Sequence, residues 1–106
     1  MAGNKHPDRE HKAMEQRLVK ALTAACETAK PKLPGFQWLT HEVDYRAFPQ
    51  SLRVIWMFDG PASLAAARQQ GLDKLMAVLT AEALFLAEVP FSQVEPHLRL
   101  DHEGHR

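Results

Sequence analysis

Six histidines, a single cysteine and two carboxylates spaced two apart are the side chains in this 106-residue chain best placed to do chemistry. His97, His102 and His105 stand with Asp101 and Glu103 near the C-terminus, and imidazole plus carboxylate is a donor set that zinc, nickel or copper accepts. A metal site needs a rigid outer shell to orient its ligands. The segment reads as a loose tail, so these three are weak metal candidates. His6 and His11 are five apart and do not share a helical face as ligands at i and i+4 do. His41 differs, because it falls on the apolar side of a strand pattern. An imidazole there is kept neutral by one satisfying partner, or serves a pocket as acid, base or pH switch.

Glu42 and Asp44 alternate onto one strand face, as a catalytic carboxylate pair would, but Arg53 falls beside them and favours an exposed ion-pair cluster. Cys26 lies on the apolar stripe of a helix and reads as a small core hydrophobe; one cysteine excludes an intramolecular disulfide. The chain has no G-x-S-x-G elbow, no phosphate-binding G-x-x-x-x-G-K-[ST] loop, no G-x-G-x-x-G fingerprint and no H-E-x-x-H helix. Ser51, Ser63 and Ser92 lack an activating context. On these grounds the chain reads as non-enzymatic, with a His41-centred pocket as the form a small enzyme would take, and no cofactor is implied.

The elements that must position these residues follow from apolar period. Met14, Leu18, Leu22, Cys26 and Ala29 recur at steps of four and three and predict an amphipathic helix, with Asp8 as its N-cap and Pro31 ending it. Its polar side carries Arg9, Lys12, Glu15, Gln16, Lys20 and Glu27. After the PKLPG loop, residues 38–45 and 52–59 alternate with period two and predict a β-hairpin. Pairing Tyr45 with Leu52 sets Val43 against Val54, His41 against Trp56 and Leu39 against Phe58 on a core face, with Asp44 opposite Arg53 on the other. Phe48 in the connecting RAFPQS loop is either a lid over the core or a contact residue. Pro61 suits a helix start, and Gly71 marks a cap or kink before a second amphipathic run, Leu72, Leu75, Met76, Leu79, Ala83 and Leu86. Residues 94–101 alternate again, with Leu98 and Leu100 inward, His97, Arg99 and Asp101 outward, and Pro96 marking an edge strand.

The expected fold class is therefore α+β in the order α-β-β-α-α-β, a three-stranded, mainly antiparallel sheet with helices on one face. One domain over residues 9–101, with loose tails at 1–8 and 102–106, fits the length. The open sheet face would carry Trp38, Ile55 and Met57 together, an apolar patch of the kind that marks a contact surface. The expected partner is a second copy or another protein on that face.

Charge narrows the other classes. Thirteen basic residues balance thirteen acidic ones, so net charge gives no sign of nucleic acid or an anionic membrane. Residues 1–32 hold seven basic and four acidic side chains (+3), and residues 33–106 hold six and nine (−3). Nucleic acid would find its footprint at Arg9, Lys12 and Lys20 on the first helix. No stretch approaches the ~20 apolar residues of a spanning helix. The N-terminal MAGNKHPDREHK has no apolar run to draw a secretory signal from, so a cytoplasmic setting is expected.

Two resemblances bear on function. The element order is similar to that of type II KH domains, in which a G-x-x-G loop between adjacent helices clamps a nucleic-acid backbone; RQQGLD stands at that place here, with Gly71 alone. The stretch CETAKPKLPGFQWLTHEVDYRAFPQSLRVIWMFD, followed by LAAARQQG, resembles a group of small uncharacterised proteobacterial proteins, some labelled Fis-family transcriptional regulators. That resemblance implies a bacterial protein with a DNA-binding helix-turn-helix. The residues themselves point elsewhere: LDKLMAVLTAEALFLAE, at 72–88, carries one lysine against three acids on a largely apolar surface, a poor match for phosphates.

Overall fold

The computed structural model describes residues 7–104, with side chains described from His11 onward. The first helix, α1, runs Pro7–Ala29 and buries Met14, Leu18, Ala21, Leu22, Ala25 and Ala29, the predicted stripe. Asp8 lies inside the described helix and is therefore not its cap. Cys26 is only half-buried, at the margin of the stripe. A 3-10 turn over Lys30–Lys32, with Pro31 in it, ends the helix.

Strands β1 (Phe36–Glu42) and β2 (Arg53–Phe58) pair antiparallel, and β3 (Leu98–His102) pairs with β2 in parallel, giving the order β1-β2-β3. The fold is α+β with the predicted element order, but the sheet is mixed rather than mainly antiparallel. The reason is the connection. Between β2 and β3 the chain passes through α2 (Pro61–Gln69) and α3 (Leu72–Leu86), a crossover long enough to bring it back to the end where β2 began.

The hairpin register is displaced by two from expectation. His41 stands opposite Val54, Leu39 opposite Trp56 and Glu42 opposite Arg53. A slip of two preserves the faces because side chains alternate with period two. Val54, Trp56 and Phe58 are fully buried, with Leu39 partly buried beside them. The slip arises because β1 stops at Glu42 and a 3-10 turn at Tyr45–Ala47 occupies the connection. Asp44 therefore caps that turn, accepting from the Arg46 amide at 3.0 Å and pairing with its guanidinium at 3.1 Å. The expected cross-strand partner, Arg53, instead donates to the carbonyls of Gln50 and Leu52.

Two glycines hold the corners. Gly35, at φ +86, accepts from the Asp59 amide, and a Cβ there would lie 2.4 Å from that of Ser63, so the starts of β1 and α2 meet only around glycine. Gly71, at φ +77, separates α2 from α3. The core between helices and sheet centres on Trp56, whose Nε1 donates to Thr80 Oγ1 of α3 at 2.9 Å with both side chains fully enclosed. Phe36 packs on Trp56 and Phe58, with ring centres 5.2 and 5.9 Å away. No helix among the described residues is long and apolar enough to cross a membrane.

Before β3 the predicted alternation fails. Residues Glu95–His97 form a 3-10 turn, since Pro96 has no amide for a ladder, and the turn rotates His97 inward. Leu98 and Leu100 pack on the core as expected. His97, expected outward, is instead buried, its Nδ1 2.9 Å from the Leu52 carbonyl and its ring edge-on to Phe91. The strand also reaches His102, and the Glu103 amide donates to Phe58, so pairing extends into the expected tail.

Candidate functional site

Where α1 crosses the margin of the sheet, three polar side chains converge. Glu15 follows the buried Met14 and so looks toward β1. His41 lies on the helix-facing side of β1, and Tyr45 opens the turn after it. Glu15 Oε2 is 2.9 Å from His41 Nε2, and the Tyr45 hydroxyl donates to Glu15 Oε1 at 2.5 Å. One helical turn before Glu15, His11 stacks on Tyr45 with ring centres 4.2 Å apart and planes 14° apart. Phe48 sits 6.0 Å from both rings. It is half-buried and packs against the margin of the core.

The hollow over this cluster holds about 900 Å³, with Lys12, Glu42 and Arg46 on its rim. The Tyr45 hydroxyl is the main influence holding the Glu15 carboxyl below its usual range; burial opposes it, and His41 adds to it. Burial first, then the bond to Glu15 and its charge, push the Tyr45 hydroxyl up to about 12. Both Glu15 oxygens are engaged and Tyr45 stays protonated, so the cluster acts as a tie between α1 and the hairpin. His41 is where the sequence placed it by face, and its partner is Glu15, a residue assigned to the polar side of α1.

The open sheet face is less apolar than expected. Trp38 is 42% exposed and Met57 partly so, but Ile55 is only 4% exposed. Arg99 of β3 lies beside Ile55 and reaches across β2 to Glu42 of β1, 3.9 Å away, while also 3.6 Å from Asp101. Arg99 is the cross-strand neighbour of Ile55, and its stem is placed to shelter that side chain. Trp38 borders a groove of about 450 Å³ whose other bank carries Val19 and Cys26 of α1.

A different surface carries the more exposed apolar groups. On α3, Met76, Leu79, Thr80, Ala83 and Leu84 face the core. On its solvent side Val78 is 54%, Phe85 75% and Leu86 63% exposed. Leu86, expected in the buried stripe, is thus outside; Leu84 and Ala87 take the inner places at that end. The sequence signal was available, because Val78, Ala81 and Phe85 recur at steps of three and four in a run already apolar on its other side.

The remaining candidates are scattered. Lys12 and Lys20 are exposed on α1, eight residues or about 12 Å apart along the axis, and the side chain of Arg9 lies outside the described set. His97 closes the turn just before β3, His102 ends that strand, and His105 lies outside the described residues. Five residues of strand separate the first two by roughly 16 Å, beyond the span of one metal ion. Among the described residues no group of three histidine, cysteine or acidic side chains could hold a metal ion.

No protein-family model, curated protein or solved structure matches the chain.

Proposed function

We propose that the chain is a non-enzymatic protein-contact module working in a bacterial cytoplasm, and that its contact surface is the solvent side of α3. The observation that carries this reading is the exposure of Phe85, Leu86 and Val78 on a helix whose other side is already core. A helix apolar all round normally has neighbours on every side, and a contiguous apolar surface of this kind marks a contact site. Relative to the sequence expectation, the contact moves from the open sheet face to α3, because Ile55 is covered and Phe85 is not.

A photo-crosslinking amino acid placed at Val78 tests the class of function. Protein adducts in cells from position 78, and none from the exposed control position Gln69 on α2, are expected. Absence of any adduct at 78 would remove the reading.

A small enzyme or ligand binder centred on His41 is a second reading, favoured by the convergence of Glu15, His41 and Tyr45 under an open hollow. Its test is a screen of small anionic and neutral metabolites by NMR, read at the His41 ring; no response in that ring would dispose of it.

A further inference from the structure

A second surface, separate from α3, is the outer edge of β1. The strand order gives β1 a neighbour on one side only, and among the described residues no hydrogen bond engages the outer amides and carbonyls of residues 38–42. Such an edge is a template for another strand, and lysine, proline or a bulge is the usual guard against it. On β1 the register irregularity between Phe36 and Trp38 guards the start, while residues 38–42 contain neither lysine nor proline. We infer that this edge takes up an extended peptide segment of another protein as a fourth strand, seated between β1 and α1.

The groove beside the edge holds about 450 Å³ and is bordered by Trp38, Leu39, Thr40 and His41. Consecutive strand residues point to opposite faces, so a hollow that touches all of these lies along the edge rather than over one face. Its far bank is α1, through Val19, Leu22 and Cys26. Val19 is 48% and Trp38 42% exposed, one on each bank, and an added strand would cover both. Glu15 bonds His41 at one end of the groove. The two banks are therefore held in place before anything binds, which leaves less to be ordered in the binding step.

The chemistry of the occupant follows from these borders. A strand edge alternately donates and accepts, and an extended backbone matches that row while its alternate side chains enter the groove. Against Val19, Leu22 and Cys26 those side chains are apolar, and β-branched ones suit the strand as well. Glu27 lines the groove, is exposed and has no ion-pair partner among the described residues; no lysine or arginine borders the groove with it. A basic residue near one end of the segment complements it. A second copy does not fit the same place, because each β1 would carry its own α1 into the other's groove. Two helices that need ~8–10 Å between axes would then stand over strands ~4.8 Å apart.

The test begins with a phage-displayed library of random nine-residue peptides selected on the full chain. Expected are sequences that alternate apolar with polar residues and end in a lysine or arginine, binding in the micromolar range because so short a strand buries less than the ~800 Å² per partner of a standard interface. With a selected peptide added, the amides of residues 38–42 should shift in NMR spectra and gain protection from exchange, and Cys26, the chain's single cysteine, should react more slowly with a thiol reagent. N-methylating the peptide amides one at a time should abolish binding at every second position, the signature of a ladder. Glu27→Lys should weaken binding roughly tenfold, Val19→Asp should abolish it, and Phe85→Ser should leave it unchanged, all with native near-UV circular dichroism. A library that yields no binder, N-methyl losses without alternation, or a peptide whose shifts map to α3 overturns the inference. So does a wild-type dimer in sedimentation equilibrium that Val19→Asp dissociates, since the edge would then belong to a second copy.

Discussion

The hollow beside α1 and the outer face of α3 are opposites in how their side chains are committed. In the hollow, polar groups that look catalytic in isolation are bound to each other: Tyr45 and His41 both hold Glu15, and His11 covers Tyr45. On α3, apolar groups that look like core in sequence touch solvent. The difference teaches that residue type alone misleads about function. A histidine, a glutamate and a tyrosine in contact serve first to pin a helix to a hairpin, while a phenylalanine with nothing above it is the stronger indication of a binding event.

The contrast is tested most severely inside α3 itself. Thr80 lies on its inner side, two residues from Val78, and accepts from Trp56 in a fully enclosed place. Thr80→Val leaves that indole N–H without a partner and should cost about 1–3 kcal/mol in urea unfolding. Val78→Ser and Phe85→Ser, measured in dilute solution, should stay within about 0.5 kcal/mol of wild type, since neither contributes to the core. Equal losses on both sides would mean that the outer face is structural, and the contrast would fail.

Much of this arrangement could be read from the chain, and the failures share a cause. Periodicity reports which residues share a face, so the buried stripe of α1 and the two faces of the hairpin were legible. It does not report partners. The register slipped by two because nothing in RAFPQS announces that Tyr45 begins a 3-10 turn, and β3 was not read as parallel because strand order is not a local property. The outward placement of His97 extended an alternation through Pro96, where the backbone turns. Glu15 belongs by period to the polar side of α1, yet it stands at the margin between the two sides, where the polar ties form. Phe85 lies on a second apolar stripe of α3, and one stripe already suffices to bury that helix.

Within the hollow, Glu15→Ala should cost about 1 kcal/mol, less than Thr80→Val because solvent can reach the groups it frees. Its pH dependence has two ends. The lowered Glu15 carboxyl contributes stability above its ordinary value of 4.5, lost as pH falls through the lower folded-state value. The raised Tyr45 hydroxyl contributes stability below its ordinary value of 10.0, lost as pH rises toward about 12. Tyr45→Phe should flatten the alkaline loss and shrink the acid one, because Tyr45 is the main influence on Glu15. Unfolding free energies that keep both slopes in this variant would show that the tie does not hold the helix.

The open sheet face lies between the two extremes and can be moved from one toward the other. Arg99 stands 3.9 Å from the exposed Glu42 and 3.6 Å from the half-buried Asp101, and ion pairs this long at a surface contribute little. Arg99→Ala should therefore change stability by no more than about 0.5 kcal/mol. Its effect is on the surface: with the stem gone, Ile55 joins Trp38 and Met57 in one apolar patch. A dye that reports exposed apolar surface should bind the variant more than the wild type while the unfolding curve barely moves. Unchanged dye binding would mean that Ile55 is sheltered by its strand neighbours rather than by Arg99, and that charge on this face does nothing to keep it from behaving as α3 does.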